Sequence, residues 1–405
     1  MSAGVLQHAA FRRDIETEAL YPGTEPSDPG VGHRIPLLSE NITQTPQYQD
    51  QGVLFNQVST EAAVAAGFEA GGTIECDLRY GDLDRLYALG LGFENPNTDA
   101  TGGSPHQIAA GEERHVYECH ENLRSLEWAS GDRNSSVGSA GDEGHWLSSH
   151  RRQCRGGIYF SKGVTDVRMW PAMVESMEFN MTPRSSRVSF GLVGRRVERG
   201  SYNSANWTSY NGLDYNSDAG VSPVLMHQLT AKWGAAGASS FQNSAMGVSE
   251  LNLRVVNNLK ADDWDASSGL YHLEPWRNGQ RTVTGSFLFT RYQDDALAVF
   301  EENDLPILLQ FNWSGPTLGA NNATLALGIP HAHITRLSQP IAGPGIIQQR
   351  CEFKAAARVA ALGSIWQGTG DPFEHVTLTQ DANGKPGELL IATTNEYDQN
   401  VFEND

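Results

Sequence analysis

The pair His331 and His333 has the spacing best suited to metal chemistry in this sequence. Residues two apart on a strand face the same side, so both imidazoles can approach one ion. Zinc sites typically use three or four protein ligands, and no Cys or His stands close by in the sequence to complete the set. We therefore expect these to be surface or hydrogen-bonded histidines, and we predict no metal site.

Cysteine and histidine also occur together in two other places. Cys119 and His120 are adjacent, but neighbouring strand residues point to opposite faces, which separates a nucleophile from its base. His145, His150 and Cys154 share a loop-like stretch, for which a solvated or interface role is the better interpretation than a metal or anion site. The phosphate-binding GxxxxGK[ST] motif and the GxSxG motif are missing from the sequence. We predict no catalytic residues, no cofactor and no enzymatic activity.

Composition narrows the possible partners. The chain has 405 residues and a formal net charge of −19, and its 29 basic residues are 24 arginines and 5 lysines. A protein that grips duplex DNA normally carries a basic patch, whereas arginine is enriched and lysine depleted at protein interfaces. No apolar run reaches the roughly 20 residues that cross a bilayer, and no signal peptide is apparent. We expect a chain folded in a cytoplasm, with other protein subunits as partners and no membrane.

The elements that position these residues are mostly strands. Ile74 and Cys76 alternate with Glu75 and Asp77, which predicts a half-buried strand, and Asp82 is a plausible N-cap for a short helix after it. The same order of predicted elements recurs later, with a strand over 282–290, a short helix beginning at Asp294 or Asp295, and further strands. A hairpin is predicted with its turn at 182–186. The fold class is therefore mainly β with short flanking helices, and an internal repeat is the economical interpretation.

This organisation predicts two tandem β domains, of the sandwich or barrel type, with long loops. Aromatic and small polar residues are concentrated in one such loop, where Trp207, Tyr210 and Tyr215 are candidate contact residues. The predicted segments are an extended N-terminal arm (1–50), a first β domain (51–200), a long connecting loop region (201–244), a second β domain (245–362) and an acidic C-terminal extension (363–405). Within that extension a short hairpin is expected around Asn383 and Gly384, with 376–378 and 389–391 as its arms.

Several runs of this sequence resemble the tail tube proteins of siphophages, the long-tailed bacteriophages. The resemblance covers roughly residues 50–200 and 245–362. It is carried by the runs 279–287, 305–311, 327–332, 343–347 and 351–353 in the second block and by 72–90 and 174–194 in the first. Both predicted β domains are accordingly expected to have the tail tube fold.

The resemblance implies a structural virion protein whose subunits join their inner strands into rings that stack into a tube. A duplicated chain would need three copies for a pseudo-sixfold ring, and a single composite domain would need six; we favour three. Glu75, Asp77 and Glu352 are candidates for lining a negatively charged lumen that lets DNA pass without holding it. Implied partners are the tape measure, tail terminator and distal tail proteins, and implied localisation is the phage tail, assembled in the host cytoplasm.

Three alternatives remain open at this point. The main one is a β-sandwich module that binds a receptor or glycan, with Trp207, Tyr210 and Tyr215 as a sugar platform. The second is an all-β enzyme, for which the sequence offers no convergent acid and base. The third is another virion component, such as a tail terminator or a head decoration protein.

Overall fold

The computed structural model describes most of the predicted strands. The described residues are 8–13, 33–35, 37–49, 64–81, 83–91, 106–109, 112–119, 156–161, 165–200, 222–236, 238, 240–262, 270–271, 275–289, 296–338, 348–356, 372–373 and 387–395. Trp207, Tyr210 and Tyr215 lie outside them, as do His120, His145, His150 and Cys154. Among the described residues, no helix has the length and apolar character needed to cross a membrane.

Strands dominate the described residues, in which two short α-helices accompany them. The helices are α1 (Asp84–Leu91) and α2 (Ala296–Glu302), with a 3-10 turn at Met226–Gln228. The strands are β1 (His8–Arg13), β2 (His33–Arg34), β3 (Leu37–Glu40), β4 (Thr43–Gln49), β5 (Val64–Asp77), β6 (His106–Ala109), β7 (Glu112–Glu118), β8 (Gly156–Ser161), β9 (Asp166–Thr182), β10 (Ser185–Gly200), β11 (Leu229–Ala235), β12 (Asn243–Met246), β13 (Val248–Val256), β14 (Leu259–Lys260), β15 (Trp276–Arg277), β16 (Thr282–Phe289), β17 (Ile307–Thr317), β18 (Asn322–Ser338), β19 (Gln349–Ala355) and β20 (Leu390–Asn395). The prediction of a mainly β fold is confirmed.

One antiparallel sheet runs through both halves of the chain. Its middle follows the order β5, β10, β9, β13, β16, β19, β18, and every neighbour in that series is antiparallel. The predicted hairpin forms between β9 and β10, where Thr182 Oγ1 accepts the Ser185 N–H at 3.2 Å. The β9–β13 ladder joins the first half to the second.

The short helices pack on the apolar side of the strands. Tyr87 of α1 stacks against Phe179 of β9, with ring centroids 6.0 Å apart. Phe300 of α2 meets the edge of Trp233 at 5.4 Å. Both predicted helices are therefore present, because their apolar faces complete the core. Leu297 of α2 is fully buried.

The same order of elements occurs twice. β5 is followed by α1, and later by the hairpin of the 17-residue β9 with β10, which returns to pair with β5. β16 is followed by α2, and then by the 17-residue β18 with β19, which returns to pair with β16. These matching connections agree with an internal repeat, and the division into two domains stays a prediction.

The described strands of the N-terminal 50 residues pair within the chain. β1 lies along β8, while β3 and β4 lie along β5. Ile35 and Ile42 of this region are buried in the main core. The region expected to be an extended arm therefore contributes edge strands and two core side chains.

The C-terminal extension contains a core strand. β20 lies between β18 and β7, and Leu390, Ile391 and Ala392 are buried. The expected hairpin used 389–391 as an arm against 376–378, which lie outside the described residues. The structure pairs this stretch with two distant strands instead, because its apolar side chains fill the gap between the two halves.

Three of the four cysteines are buried free thiols: Cys76, Cys119 and Cys351. Burial raises the pKa of the Cys76 and Cys351 thiols well above the usual range. Such thiols stay protonated and unreactive at neutral pH. They serve as small core side chains.

Candidate functional site

One face of the central sheet is lined by polar and charged side chains, and we call it the polar face. Its first cross-strand row begins at Glu75 on β5 and continues through Ser189, Glu178 and Arg254. Residues directly opposite each other on antiparallel strands share a face, with Cβ atoms about 5 Å apart. The row ends in Thr284, Lys354 and His333 on β16, β19 and β18.

A second row runs parallel to the first, two residues along each strand except β18, where a bulge between Ile334 and Arg336 makes the step three residues. It pairs Asp77 with Arg187 at one end and Glu352 with Arg336 at the other. Between these charged pairs stand three uncharged polar residues: Asn180, Asn252 and Ser286. The polar face thus spans seven strands and crosses from the first half of the chain to the second without a break.

The opposite face of the same strands forms the core. Phe179, Leu253 and Phe353 alternate with the polar-face residues and are almost completely buried. Gly285 lies beneath the Phe353 ring, whose Cζ would be only 2.4 Å from a Cβ at that position. A larger residue would displace the ring, so the glycine keeps the sheet close-packed on its apolar side.

Charges of both signs occur on the polar face. The Arg187 Nη1 to Glu75 Oε1 distance is 3.0 Å, and the Arg350 Nη2 to Glu250 Oε2 distance is 3.1 Å. Both pairs are partly exposed, so each contributes at most about 1 kcal/mol to stability. Glu178 stands opposite Arg254 in the register. The face is therefore mixed in charge, although the whole chain is strongly acidic.

Two edge strands bound this sheet. β3 pairs with β5 on one side, through Leu37, Ser39 and Glu40. At the other end, residues 333–338 of β18 pair with β19. Within the part of the chain that the structure describes, no further strand pairs with the outer side of either segment. At the β18 edge, Glu301 Oε1 accepts the Leu337 N–H at 2.7 Å, so a side chain occupies a position that a strand could take.

The structure brings the three candidate lumen residues together on one surface. Glu75, Asp77 and Glu352 all belong to the polar face, at opposite ends of the seven strands. Sequence reasoning did not select Glu178 or Arg254, which lie at its centre. The alternation on β9, where Glu178 stands between two buried residues, is the signal that would have identified the first of them.

The histidine pair lies on the last strand of the same sheet. The Nε2 atoms of His331 and His333 are 3.1 Å apart, and His333 Nδ1 is 2.9 Å from Asp304 Oδ1. The predicted same-side placement is therefore observed. Within the described residues, no group of three or more His, Cys, Asp or Glu side chains is placed to hold a metal ion.

An antiparallel sheet with one apolar and one charged face, open at two edges, defines a β-rich structural protein suited to joining other subunits. The chain belongs to the phage tail tube protein family, whose model matches residues 8–355. No curated protein matches the chain. The predicted family is confirmed, and with it a structural role in the phage tail tube. Membership implies self-assembly into a tube and a location in the virion tail.

Proposed function

We propose that copies of this chain join edge to edge through β18 and β3 into a three-membered ring with the polar face lining its lumen. The rings stack into the tail tube of a siphovirus and conduct DNA during genome ejection. The observation that carries this proposal is the β9–β13 ladder inside the chain. It already joins one half to the other in the way that one copy would join the next.

The correspondence between the halves identifies the joining strands. β9 and β18 occupy matching positions in the repeated order of elements, as do β13 and the β3–β4 edge beside β5. β9 uses residues 176–181 to pair with β13. The matching part of β18, residues 333–338, faces outward, and β3 faces outward at the other end of the sheet. Each copy therefore has the two edge segments, one at each end of its sheet, that pairing with neighbouring copies requires.

Strand direction agrees with this closure. The sheet from edge to edge has eight strands, β3, β5, β10, β9, β13, β16, β19 and β18, and each is antiparallel to the next. Because eight is even, the two edge strands run in opposite directions. Head-to-tail contact between copies then forms an antiparallel ladder, and a head-to-tail contact that closes gives a ring.

Lumen width favours three copies. Three copies of eight strands make a 24-stranded barrel, which is about 48 Å between opposite backbones for strands about 4.8 Å apart tilted by about 40°. Side chains take about 5 Å at each wall, leaving about 38 Å for a duplex about 20 Å wide. Two copies would leave only about 22 Å by the same estimate. Six copies, the alternative, would leave about 86 Å by the same estimate, about four times the width of a duplex.

The charge pattern suits a conduit. On the polar face, Arg254 and Arg187 stand opposite carboxylates, which compete with DNA phosphates for these cations. Three chains together carry a formal charge of −57, three times −19, and this field repels the phosphate backbone. The proposed partners at the tube ends and interior are the tail terminator, distal tail and tape measure proteins, with assembly in the host cytoplasm.

Electron microscopy of the purified chain tests the proposal. We expect striated tubes whose rings show three copies and a sixfold modulation. Thr335→Pro should abolish them, since a proline on the exposed β18 edge blocks pairing with a neighbour. Thr335→Ala keeps the backbone N–H and is the matched control. A folded wild-type chain that forms no tubes, or a folded Thr335→Pro chain that forms normal tubes, would contradict the proposal.

A further inference from the structure

We propose that His331 and His333 form a binding site for a divalent late first-row transition metal ion, with Asp304 as the residue that orients His333. Both histidines lie on β18, and Asp304 lies in the turn that follows α2. His333 also belongs to the polar face and to the outer segment of β18, but the test of this site uses single chains and does not require tube assembly.

The separation of the two ring nitrogens matches that of two ligands on one ion. Nitrogens bound to Zn²⁺ at about 2.0–2.1 Å lie about 3.3 Å apart in a tetrahedral site and about 2.9 Å apart in an octahedral one. The measured Nε2 to Nε2 distance is 3.1 Å. The two ring planes are inclined at 48° and their centroids are 5.0 Å apart. The rings therefore approach each other through their nitrogen atoms and are not stacked face to face.

The third residue fixes the tautomer that metal binding requires. His333 Nδ1 donates its proton to Asp304 Oδ1 at 2.9 Å, which leaves the Nε2 lone pair of His333 facing His331. In the metal-free state His331 Nε2–H donates to that lone pair. A bound ion takes the place of the proton between the two Nε2 atoms, and His331 then presents its Nε2 lone pair to the ion. Carboxylate-to-histidine contacts of this kind are the usual outer support of metal-bound imidazoles.

Two imidazoles leave the remaining coordination positions to water. Such a site suits ions that favour nitrogen ligands, and for divalent ions the expected order of affinity places Cu²⁺ above Ni²⁺ and Ni²⁺ above Co²⁺. Mg²⁺, which prefers oxygen ligands, should not bind. Lys354 stands opposite His333 on β19 and opposes any cation there. Bound metal would fix the outer segment of β18 to the turn after α2.

Titration calorimetry of the unassembled chain with Ni²⁺ tests this site. We expect one ion per chain, with affinity lowered at least tenfold by His331→Ala and by His333→Ala. Asp304→Asn should weaken binding several-fold, and Lys354→Gln should strengthen it. The exposed His227 provides the matched control, and His227→Ala should leave the affinity unchanged.

Circular dichroism of each variant confirms that the fold is retained. The proposal is overturned if Ni²⁺ does not bind at one ion per chain, or if folded His331→Ala and His333→Ala proteins bind it as tightly as the wild type. Because binding is measured on single chains, a negative result would leave the ring proposal intact. A failure to form tubes would likewise leave this site untouched.

Discussion

The two short helices end in contrasting surroundings, one closed by the other half of the chain and one open to solvent. At the end of α1, the carbonyl oxygen of Gly90 accepts a hydrogen bond from Asn257 Nδ2 at 2.8 Å. That of Leu91 accepts one from Arg281 Nη2 at 3.0 Å. Arg281 Nε also donates to Asn257 Oδ1 at 2.7 Å, and both side chains are buried. The second half of the chain therefore caps the helix of the first.

At the end of α2 the equivalent contacts come from the helix itself. Asn303 Nδ2 donates to the Val299 carbonyl at 2.8 Å, and Asp304, with a positive φ of 51°, is 85% exposed on its side chain. A cation at a helix C-terminus interacts favourably with the helix dipole. Neither helix has a basic residue in its own last turn, and Arg281 supplies the cation to α1 from the second half of the chain.

The contrast distinguishes contacts that hold the single chain together from edges that are available to another copy. The closed junction consists of the β9–β13 ladder, the Asn257 and Arg281 contacts, and β20, which bridges β18 and β7. The open junction consists of the outer edges of β18 and β3. Changes to the first should lower the stability of the chain, and changes to the second should alter its association.

Removing residues 387–405 should have the largest effect on the closed junction. Leu389, Leu390 and Ile391 are fully buried, and each contributes about 1.5–3 kcal/mol by burial. Their sum is comparable with the whole stability of a domain, about 5–15 kcal/mol. The shortened chain should be insoluble or lose cooperative thermal unfolding. Removing only 396–405, which keeps β20, is the control; equal melting of the two shortened chains would refute the role of β20.

Asn257→Ala should destabilise the chain by about 2–4 kcal/mol, because it removes the acceptor of the buried Arg281 Nε–H and the side-chain donor to two carbonyl oxygens. The second carbonyl belongs to Val174, which accepts from Asn257 Nδ2 at 2.8 Å. Denaturant unfolding of the unassembled chain measures the change. Asn252→Ala, on the polar face of β13, the strand that ends just before Asn257, should cost less than about 0.5 kcal/mol. A similar loss in both variants would show that these hydrogen bonds contribute little.

Local alternation made part of this molecule predictable. On β5, Ile74 and Cys76 are buried and Glu75 and Asp77 are not, as the period of two required. The same period placed His331 and His333 on one side. These inferences succeed because neighbours along a strand depend on backbone geometry alone.

Local alternation does not predict contacts between segments that are distant in the sequence. Glu178 faces Arg254 because β9 pairs with β13, and Asp304 reaches His333 from a turn 29 residues away. Register between non-consecutive strands depends on how the whole core packs. For the same reason the sequence suggested a local hairpin for 389–391, where the structure has a bridge between the two halves.

Glu301→Ala should change association more than stability. The Glu301 carboxylate occupies the outward Leu337 N–H, and side chains that cover an edge strand restrain its pairing with other chains. Without it, we expect tube growth, followed by light scattering, to begin several-fold sooner at equal concentration. Glu302→Ala removes the same charge from an exposed neighbouring position and should leave growth unchanged. Equal kinetics in the two variants would show that Glu301 does not restrain the edge.

Glu175→Gln, at the closed junction, should have the smallest effect, which is a pH-dependent gain in the stability of the folded chain. Glu175 lies on β9 beside a cleft of about 800 Å³ between β5 and the β14–β15 pair. Burial raises the pKa of its carboxyl above the ordinary 4.5. Ionisation is therefore less favourable in the folded chain than in the unfolded one.

A raised folded pKa stabilises the chain fully below the unfolded pKa, and this contribution disappears as pH rises through the folded pKa. Glutamine carries no charge to desolvate. The stability of Glu175→Gln relative to wild type should therefore increase from pH 4 to pH 8, by less than about 1 kcal/mol because the site is half-exposed. Denaturant unfolding at both pH values measures the gain. Glu178→Gln, exposed on the same strand, is the control. If the free energy of unfolding of Glu175→Gln differs from that of wild type by the same amount at pH 4 and pH 8, burial of the Glu175 carboxylate does not destabilise the closed junction.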